Sequence, residues 1–398
     1  MSAFPPDAAS AAQQIRLPSP FRLQSGAELT GAEVAVETYG RLSPARDNAV
    51  LLFTGLSASA HAASHPGDPS AGWWEHMIGP GKAFDTERYY VVSVNSLGSC
   101  FGSTGPGSID PATGAPYGGT FPELRVEDIA RASQAAVEAL GIQTLHAVVG
   151  ASLGGMTVLA HAALFPGRAR RLASISGALS AGAAAIGTRS LQREILGAAL
   201  RGGPGAPSVG HAMRWARKIG IISYVGIDLL EQRFGRDQTE PFAGRPSGTA
   251  FEVENWLEHL AQKWEQQFNP WSYWYISRAM DLFDFADHAD VEARAGDGRR
   301  RQSEHLASAA KRLELEYALV IGVKQDVLFP LAQQRAIADL LRAASLETEF
   351  AQLTSPYGHD AFLTETALFT PVLRRFLGRA PESATSRRSR PAHDSLSR

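Results

Sequence analysis

The sequence predicts an α/β fold, a mostly parallel, doubly wound sheet carrying an inserted helical lid. Three observations predict it. Short, nearly unbroken apolar runs recur along the chain, bounded by Gly, Ser and Asn. Helical patterns lie between these runs. Residues 181–310 then break the rhythm with helix-like sequence rich in Trp, Tyr, Arg and Gln and poor in β signal. Unbroken apolar runs suit parallel strands covered on both faces. Alternating strands and helices imply right-handed crossovers between them.

Taken in order, residues 21–23 form a short β segment, and EVAVETY at 33–39 alternates as a half-buried antiparallel strand does. The runs at 49–53, 89–94, 146–149, 172–175, 317–323 and 348–353 are the expected parallel strands. Residues 126–141 place apolar side chains at three- and four-residue spacing and stop at Gly141. A second helical pattern, 154–167, is stopped by Pro166. The strand YALVIGV follows the long helical stretch, so the sheet resumes and the stretch reads as an insertion, not a C-terminal domain. The expected layout is a disordered N-terminus at 1–18, a core at 19–180 and 311–378, a lid at 181–310 and a disordered tail at 379–398.

Composition narrows the functional classes. The chain has 398 residues, 44% of them hydrophobic, enough for a large core. A net charge of -2 argues against a nucleic-acid-binding surface. Cys100 is the single cysteine, which rules out an intrachain disulfide and suits a reducing cytoplasm. No run approaches the roughly 18 to 20 apolar residues of a spanning helix, and the N-terminus lacks the pattern of a secretory signal. A soluble cytoplasmic protein with neither membrane nor nucleic-acid partners is expected. His61 and His65 form H-x3-H without a third ligand, so no metal is expected. GPGKA at 79–83 lacks the P-loop pattern and its preceding strand.

The chemistry centres on VVGASLGGM. Gly150-Ala151-Ser152-Leu153-Gly154 fits G-x-S-x-G, with strand LHAVVG before it and helix GGMTVLAHAAL after it. A nucleophilic serine must stand on a sharp strand-to-helix turn, so the positions two before and two after it must be small. The alternative is a tight β–α turn with a solvated serine. This context assigns the α/β-hydrolase fold, in which an acid and then a histidine follow the serine. Asp326 stands at the end of YALVIGVKQD, where a carboxylate faces the crevice. Its bland alternative is a helix N-cap. Of 11 histidines, His359 alone lies between Asp326 and the tail, in the loop SPYGHDAF. The N–H of Leu153 at the helix start, and that of Leu56 in Gly55-Leu56-Ser57, are the expected oxyanion donors.

Several long segments carry more specific information. GWWEHMIGPGKAFDTERYYVVSVNSLGSCFGSTGP (72–106), GASLGGM, ARKIGIISY (216–224), YWYISRAMD (273–281) and GHDAF are similar to the homoserine O-acyltransferase family of this fold. The resemblance runs from about residue 15 to about 378. GLSASAHAA, NSLGSC and RSLQRE (189–194) look closest to its serine O-succinyltransferase branch. Homoserine acetyltransferases usually carry an acid or amide at the position of Leu56, and glycine at that of Ser99.

The resemblance implies a ping-pong reaction. Ser152 takes an acyl group from acyl-CoA, the co-substrate, and passes it to an amino-acid hydroxyl, with no other cofactor. It implies succinyl-CoA and L-serine as substrates, Arg217 on the amino acid's carboxylate, Asp360 on its amino group, Gly55 and Ser57 beside it, and a homodimer through the lid. A monomeric mass in light scattering would contradict the last. A succinyl group adds a second carboxylate, which a forked guanidinium suits. Arg189 is the first choice, with Arg193 and Arg278 as rivals. The rival functions are a homoserine O-acetyl- or O-succinyltransferase, an esterase or thioesterase, and a non-enzymatic interaction protein. Cys100, Trp73 and Trp74 read as packing or pocket wall, and the WSYWYISRAM aromatics as lid packing or dimer interface.

Overall fold

The computed structural model describes residues 12–239, 250–290 and 299–379, with the side chains of 299–301 excepted. Eight strands form one sheet: β1 (Gln13–Arg16), β2 (Glu33–Tyr39), β3 (Ala49–Phe53), β4 (Tyr90–Val94), β5 (Ala147–Ala151), β6 (Arg171–Ile175), β7 (Tyr317–Val323) and β8 (Thr348–Leu353). Their spatial order is β1-β2-β4-β3-β5-β6-β7-β8. β2 runs antiparallel to both neighbours. Every other adjacent pair is parallel.

The unbroken apolar runs have the predicted cause. Every residue of β3, β5, β6 and β7 is buried. Alternate side chains of β3 serve opposite faces: Ala49, Leu51 and Phe53 join one core, Val50 and Leu52 the other. β8 differs. Its sequence TEFAQL is only half-buried, as befits the last strand of the sheet.

One expectation is corrected. Residues 13–16 were expected in a disordered N-terminus, yet they form β1, paired in register from Gln13 opposite Val36 to Arg16 opposite Glu33. The free edge of β2 supplies the backbone partners, and Ile15 and Leu17 are buried. A four-residue strand with one large apolar side chain leaves too little periodicity to read. Residues 1–11 and nearly all of the expected C-terminal tail lie outside the described residues.

α1 (Val126–Ala139) and α2 (Leu153–Leu164) pack together on one face of the sheet. Gly141 closes α1 with φ of 75°, the left-handed cap the sequence predicts. The helix Thr366–Gly378 covers the other face with Phe369, Leu373 and Phe376. Between β6 and β7 come α3 (Ala183–Arg201), α4 (Val209–Tyr224), α5 (Ile227–Phe234), α6 (Glu252–Glu265), α7 (Pro270–Leu282) and α8 (Arg299–Lys311). Among the described residues, the only β ladder there is the two-residue one of Gln238–Thr239 with Ala250–Phe251, beside an isolated bridge of Ser180 with Asp284. Polar caps set where these helices start. The Ser208 hydroxyl accepts from the N–H of His211, and the Asn269 side chain accepts from those of Trp271 and Ser272, with Pro270 at the first helical position. α3 packs against α4 and α7, and α4 against α6. α9 (Leu331–Ala343) joins β7 to β8. Among the described residues no helix is long and apolar enough to cross a membrane.

Candidate active site

Ser152 stands between β5 and α2 with φ of 58° and ψ of -119°. A side-chain-bearing residue rarely adopts this backbone, and strain of this kind concentrates at functional sites. The surroundings impose it. The Ser152 N–H donates to the carbonyl of Ile175 at 2.9 Å, pinning the turn to β6. A Cβ on Gly150 would lie 2.3 Å from the carbonyl oxygen of Gly154, and one on Gly154 would lie 2.4 Å from that of Phe53. Both glycines are therefore steric requirements of the turn.

The three residues expected to act together do meet. His359 Nε2 lies 2.8 Å from Ser152 Oγ, and His359 Nδ1 lies 2.8 Å from Asp326 Oδ2. Asp326 Oδ1 accepts from the N–H of Phe329 at 2.8 Å. Asp326 is not a helix N-cap, since Pro330 caps the helix that begins at Leu331; one of its oxygens holds the local turn and the other faces His359. The rings of Phe329, Phe362 and Tyr224 pack around His359 at 5.4, 6.0 and 5.9 Å between centroids. Gly358, at φ of 57°, brings this loop against the carbonyls of Tyr224 and Gln325, where any Cβ would sit under 3 Å from both.

Burial alone would lower the pKa of His359. The charge and hydrogen bond of Asp326, with the charge of Asp360, outweigh it, and the net shift is upward from 6.5. Only the neutral imidazole takes a proton from Ser152. Activity per encounter, kcat/KM for acyl-CoA, is therefore expected to fall as pH drops, with a midpoint above 6.5, and to level off at higher pH. Asp326→Asn is expected to move that midpoint down. A flat profile across roughly pH 6 to 9 would contradict this assignment.

Leu56 lies on the wall of the cavity that opens over Ser152, and Leu153 begins α2 beside it. Neither backbone N–H donates to another backbone carbonyl in a turn or loop. Two such donors, one at a helix N-terminus, are what a developing oxyanion needs. Gly55, Ser57, Trp73, Arg189, Gln192, Arg217, Tyr224 and Asp360 complete much of the wall.

The cations on this wall differ in their pairing. The Arg217 guanidinium lies over the rings of Tyr224 and Trp264, at 5.6 and 5.5 Å, and forms no ion pair among the described residues. Its Nε is buried without a hydrogen-bond partner. Asp360 sits opposite in charge at the same wall; burial raises its pKa first, and the charges of His359 and Arg217 act against that. Arg189 is 4% exposed, and its Nε donates to Asp281 Oδ1 at 2.6 Å while its Nη2 has no partner. Arg193 lies behind it, donating to Asp281 Oδ2 at 2.5 Å, and does not line the cavity. Arg278 is exposed and also off the cavity, because its position on α7 turns away from the side that buries Ser277 and Asp281. Neither rival of Arg189 reaches the site.

Other readings resolve locally. Trp74 is core, with its indole N–H on the carbonyl of Phe362, while Trp73 lines the cavity. Cys100 is half-buried against the loop at Gln267 and Asn269. Ser99 is buried and does not line the cavity over Ser152. The structure adds Glu37 to His61 and His65, the third group the sequence did not reveal. Its hydrogen bonds describe a fastening. His61 Nε2 faces the carbonyl of Ser70 and so carries a proton. The ring's other nitrogen, Nδ1, is 2.9 Å from Glu37 Oε2. His65 Nδ1 accepts from the N–H of Gly67, so its Nε2 donates to the same carboxylate oxygen. Burial opposes a charge on His61, but the hydrogen bonds to Glu37 and Ser70 prevail and raise its pKa. The trio ties the segment after Leu56 to β2.

Asp281 and Tyr224 are the site residues that the sequence reading passed over. Asp281 meets arginines 88 and 92 positions away, a separation that no local spacing reveals.

Comparison with known proteins agrees with this geometry. The model of the alpha/beta hydrolase fold matches residues 48–366. The chain belongs to the α/β-hydrolase family. Within this family of α/β-hydrolases its similarity is to O-acyltransferases. It is 48% identical to a serine O-succinyltransferase of Litchfieldella anticariensis, over 91% of this chain and 97% of the relative. It is 46% identical to an L-serine/homoserine O-acetyltransferase of Streptomyces lavendulae, over 92% and 97%. Among solved structures, homoserine O-acetyltransferase of Bacillus anthracis superposes with a TM-score of 0.80 at 25% identity, covering 93% of this chain and 98% of that one. An esterase crystal structure superposes at 0.78 with 26% identity, covering 92% and 99%. This α/β-hydrolase therefore sits with the O-acyltransferases by its curated relatives, and esterases share its fold.

Proposed function

We propose that the protein transfers a succinyl group from succinyl-CoA to the hydroxyl of L-serine, releasing CoA and O-succinyl-L-serine. The observation that carries this reading is the pair of cations on the cavity wall beside Ser152. Arg217 forms no ion pair among the described residues, and Arg189 has an Nη2 without a partner. One carboxylate would come from the amino acid and one from the far end of the acyl chain. An acetyl group offers no second carboxylate, and Nη2 of Arg189 would then stay desolvated and unmatched.

In the first half-reaction His359 takes the Ser152 proton as the hydroxyl attacks the thioester carbonyl. The oxyanion forms against the N–H groups of Leu56 and Leu153, and CoA leaves with the proton from His359. In the second, His359 takes a proton from the hydroxyl of the substrate L-serine, which attacks the acyl ester, and returns it to Ser152 Oγ as that oxygen leaves. Arg217 and Asp360 hold the amino acid's carboxylate and amino group, and the lid limits access of water. The names of the relatives support a place in cysteine synthesis. The exposed Leu191, Trp215, Ile222 and Ile227 on the lid helices support a homodimer through the lid.

The test is CoA release with acetyl-CoA or succinyl-CoA paired with L-serine or L-homoserine, and products identified by mass. Turnover concentrated on succinyl-CoA with L-serine is expected, and Arg189→Ala is expected to lower succinyl transfer by about 10- to 100-fold, the value of a charge-assisted hydrogen bond. Preference for homoserine would move the acceptor assignment. Free succinate without any ester product would favour the esterase reading.

A further inference from the structure

We propose that Asp281, which does not touch substrate, sets the acyl-chain preference by aiming Arg189. The proposal rests on the succinyl reading above and adds the device behind it. Asp281 has a side chain 1% exposed, and both its oxygens are occupied: Oδ1 by Arg189 Nε at 2.6 Å, Oδ2 by Arg193 Nη2 at 2.5 Å. Arg193 is held in turn by Ser277 Oγ at 3.3 Å. One carboxylate thus faces two guanidiniums, a local surplus of one positive charge in a place with little water.

A buried uncompensated charge is unfavourable unless an anion meets it. The fork geometry decides where that anion must sit. With its Nε fixed on Asp281, the Arg189 guanidinium cannot turn; its Nη2 is buried without a partner, and the residue lines the cavity that holds Ser152. An acyl chain ending in a carboxylate supplies the missing charge; a neutral chain does not. Arg193 is the counterweight: it satisfies the second oxygen of Asp281, so that the carboxylate cannot rotate and release Arg189.

The experiment compares the ratio of kcat/KM for succinyl-CoA to that for acetyl-CoA in the full-length enzyme. Asp281→Asn is expected to lower this ratio by about 10- to 100-fold, mainly through KM for succinyl-CoA. Asp281→Glu, which restores the charge and can still reach a guanidinium, is expected to recover part of it. Should Asp281→Asn fail to fold, the double variant Asp281→Asn with Arg193→Met removes one charge of each sign. It leaves Arg189 charged but unaimed, and the ratio should stay low. An unchanged ratio in a folded single or double variant overturns the proposal, as does equal loss with both acyl donors. Those results leave the succinyl reading standing. A wild-type enzyme that prefers acetyl-CoA defeats that reading instead.

Discussion

Replacing Ser152 by alanine is expected to lower acyl transfer by about 10⁴-fold or more without unfolding the protein. The side chain's one hydrogen bond is to His359 Nε2, so its loss removes the nucleophile and little else. The turn keeps its backbone bond from the residue 152 N–H to Ile175, and alanine has the same Cβ that serine already places at φ of 58°. Stability should therefore change by less than about 1 kcal/mol. Incubation with succinyl-CoA alone should add a succinyl mass to the peptide containing Ser152 in the wild type and none in the variant. Residual turnover above about one hundredth of the wild type would mean that another group accepts the acyl chain, and the ping-pong assignment would fall.

Much of this was legible in the sequence because strands of the central sheet are buried on both faces, which forces long apolar runs. The elbow was legible for a similar reason: two backbone segments approach so closely that only glycine fits at 150 and 154. Asp326 and His359 were legible through chain order and strand ends. What escaped reading was held by partners distant in sequence. β1 owes its existence to the edge of β2. Glu37 alternates like any strand residue and reveals its partners only when the loop of His61 and His65 folds over it. Asp281 reads as the end of an amphipathic helix until α3 brings Arg189 and Arg193 against it. In the sequence, only its place at the start of RSLQRE sets Arg189 apart from Arg193 and Arg278. The fold separates the three by depth, one at the cavity, one behind it and one in solvent.

The close approach at Gly154 makes the second large prediction, Gly154→Ala. A Cβ there would lie 2.4 Å from the Phe53 carbonyl oxygen, 3.0 Å from its carbon and 3.2 Å from the Thr54 oxygen. These obstacles are backbone, not the movable end of a side chain, so β3 and α2 must separate. Overpacking of this kind costs about 3 kcal/mol or more, and thermal melting should move down by roughly 5 °C or more. The functional loss should exceed what instability alone explains. Phe53 ends β3, and Leu56 lies three residues beyond it, so pushing β3 from α2 separates the Leu56 N–H from that of Leu153. Both must reach one oxyanion, and a misplacement of about 1 Å lowers turnover on the order of 100-fold. The informative measurement is kcat at a temperature where circular dichroism shows the variant still folded. A folded variant with unimpaired kcat would show that the oxyanion donors are not set by the β3–α2 contact. A folded variant with kcat reduced and KM little changed would tie the two N–H groups to that single glycine.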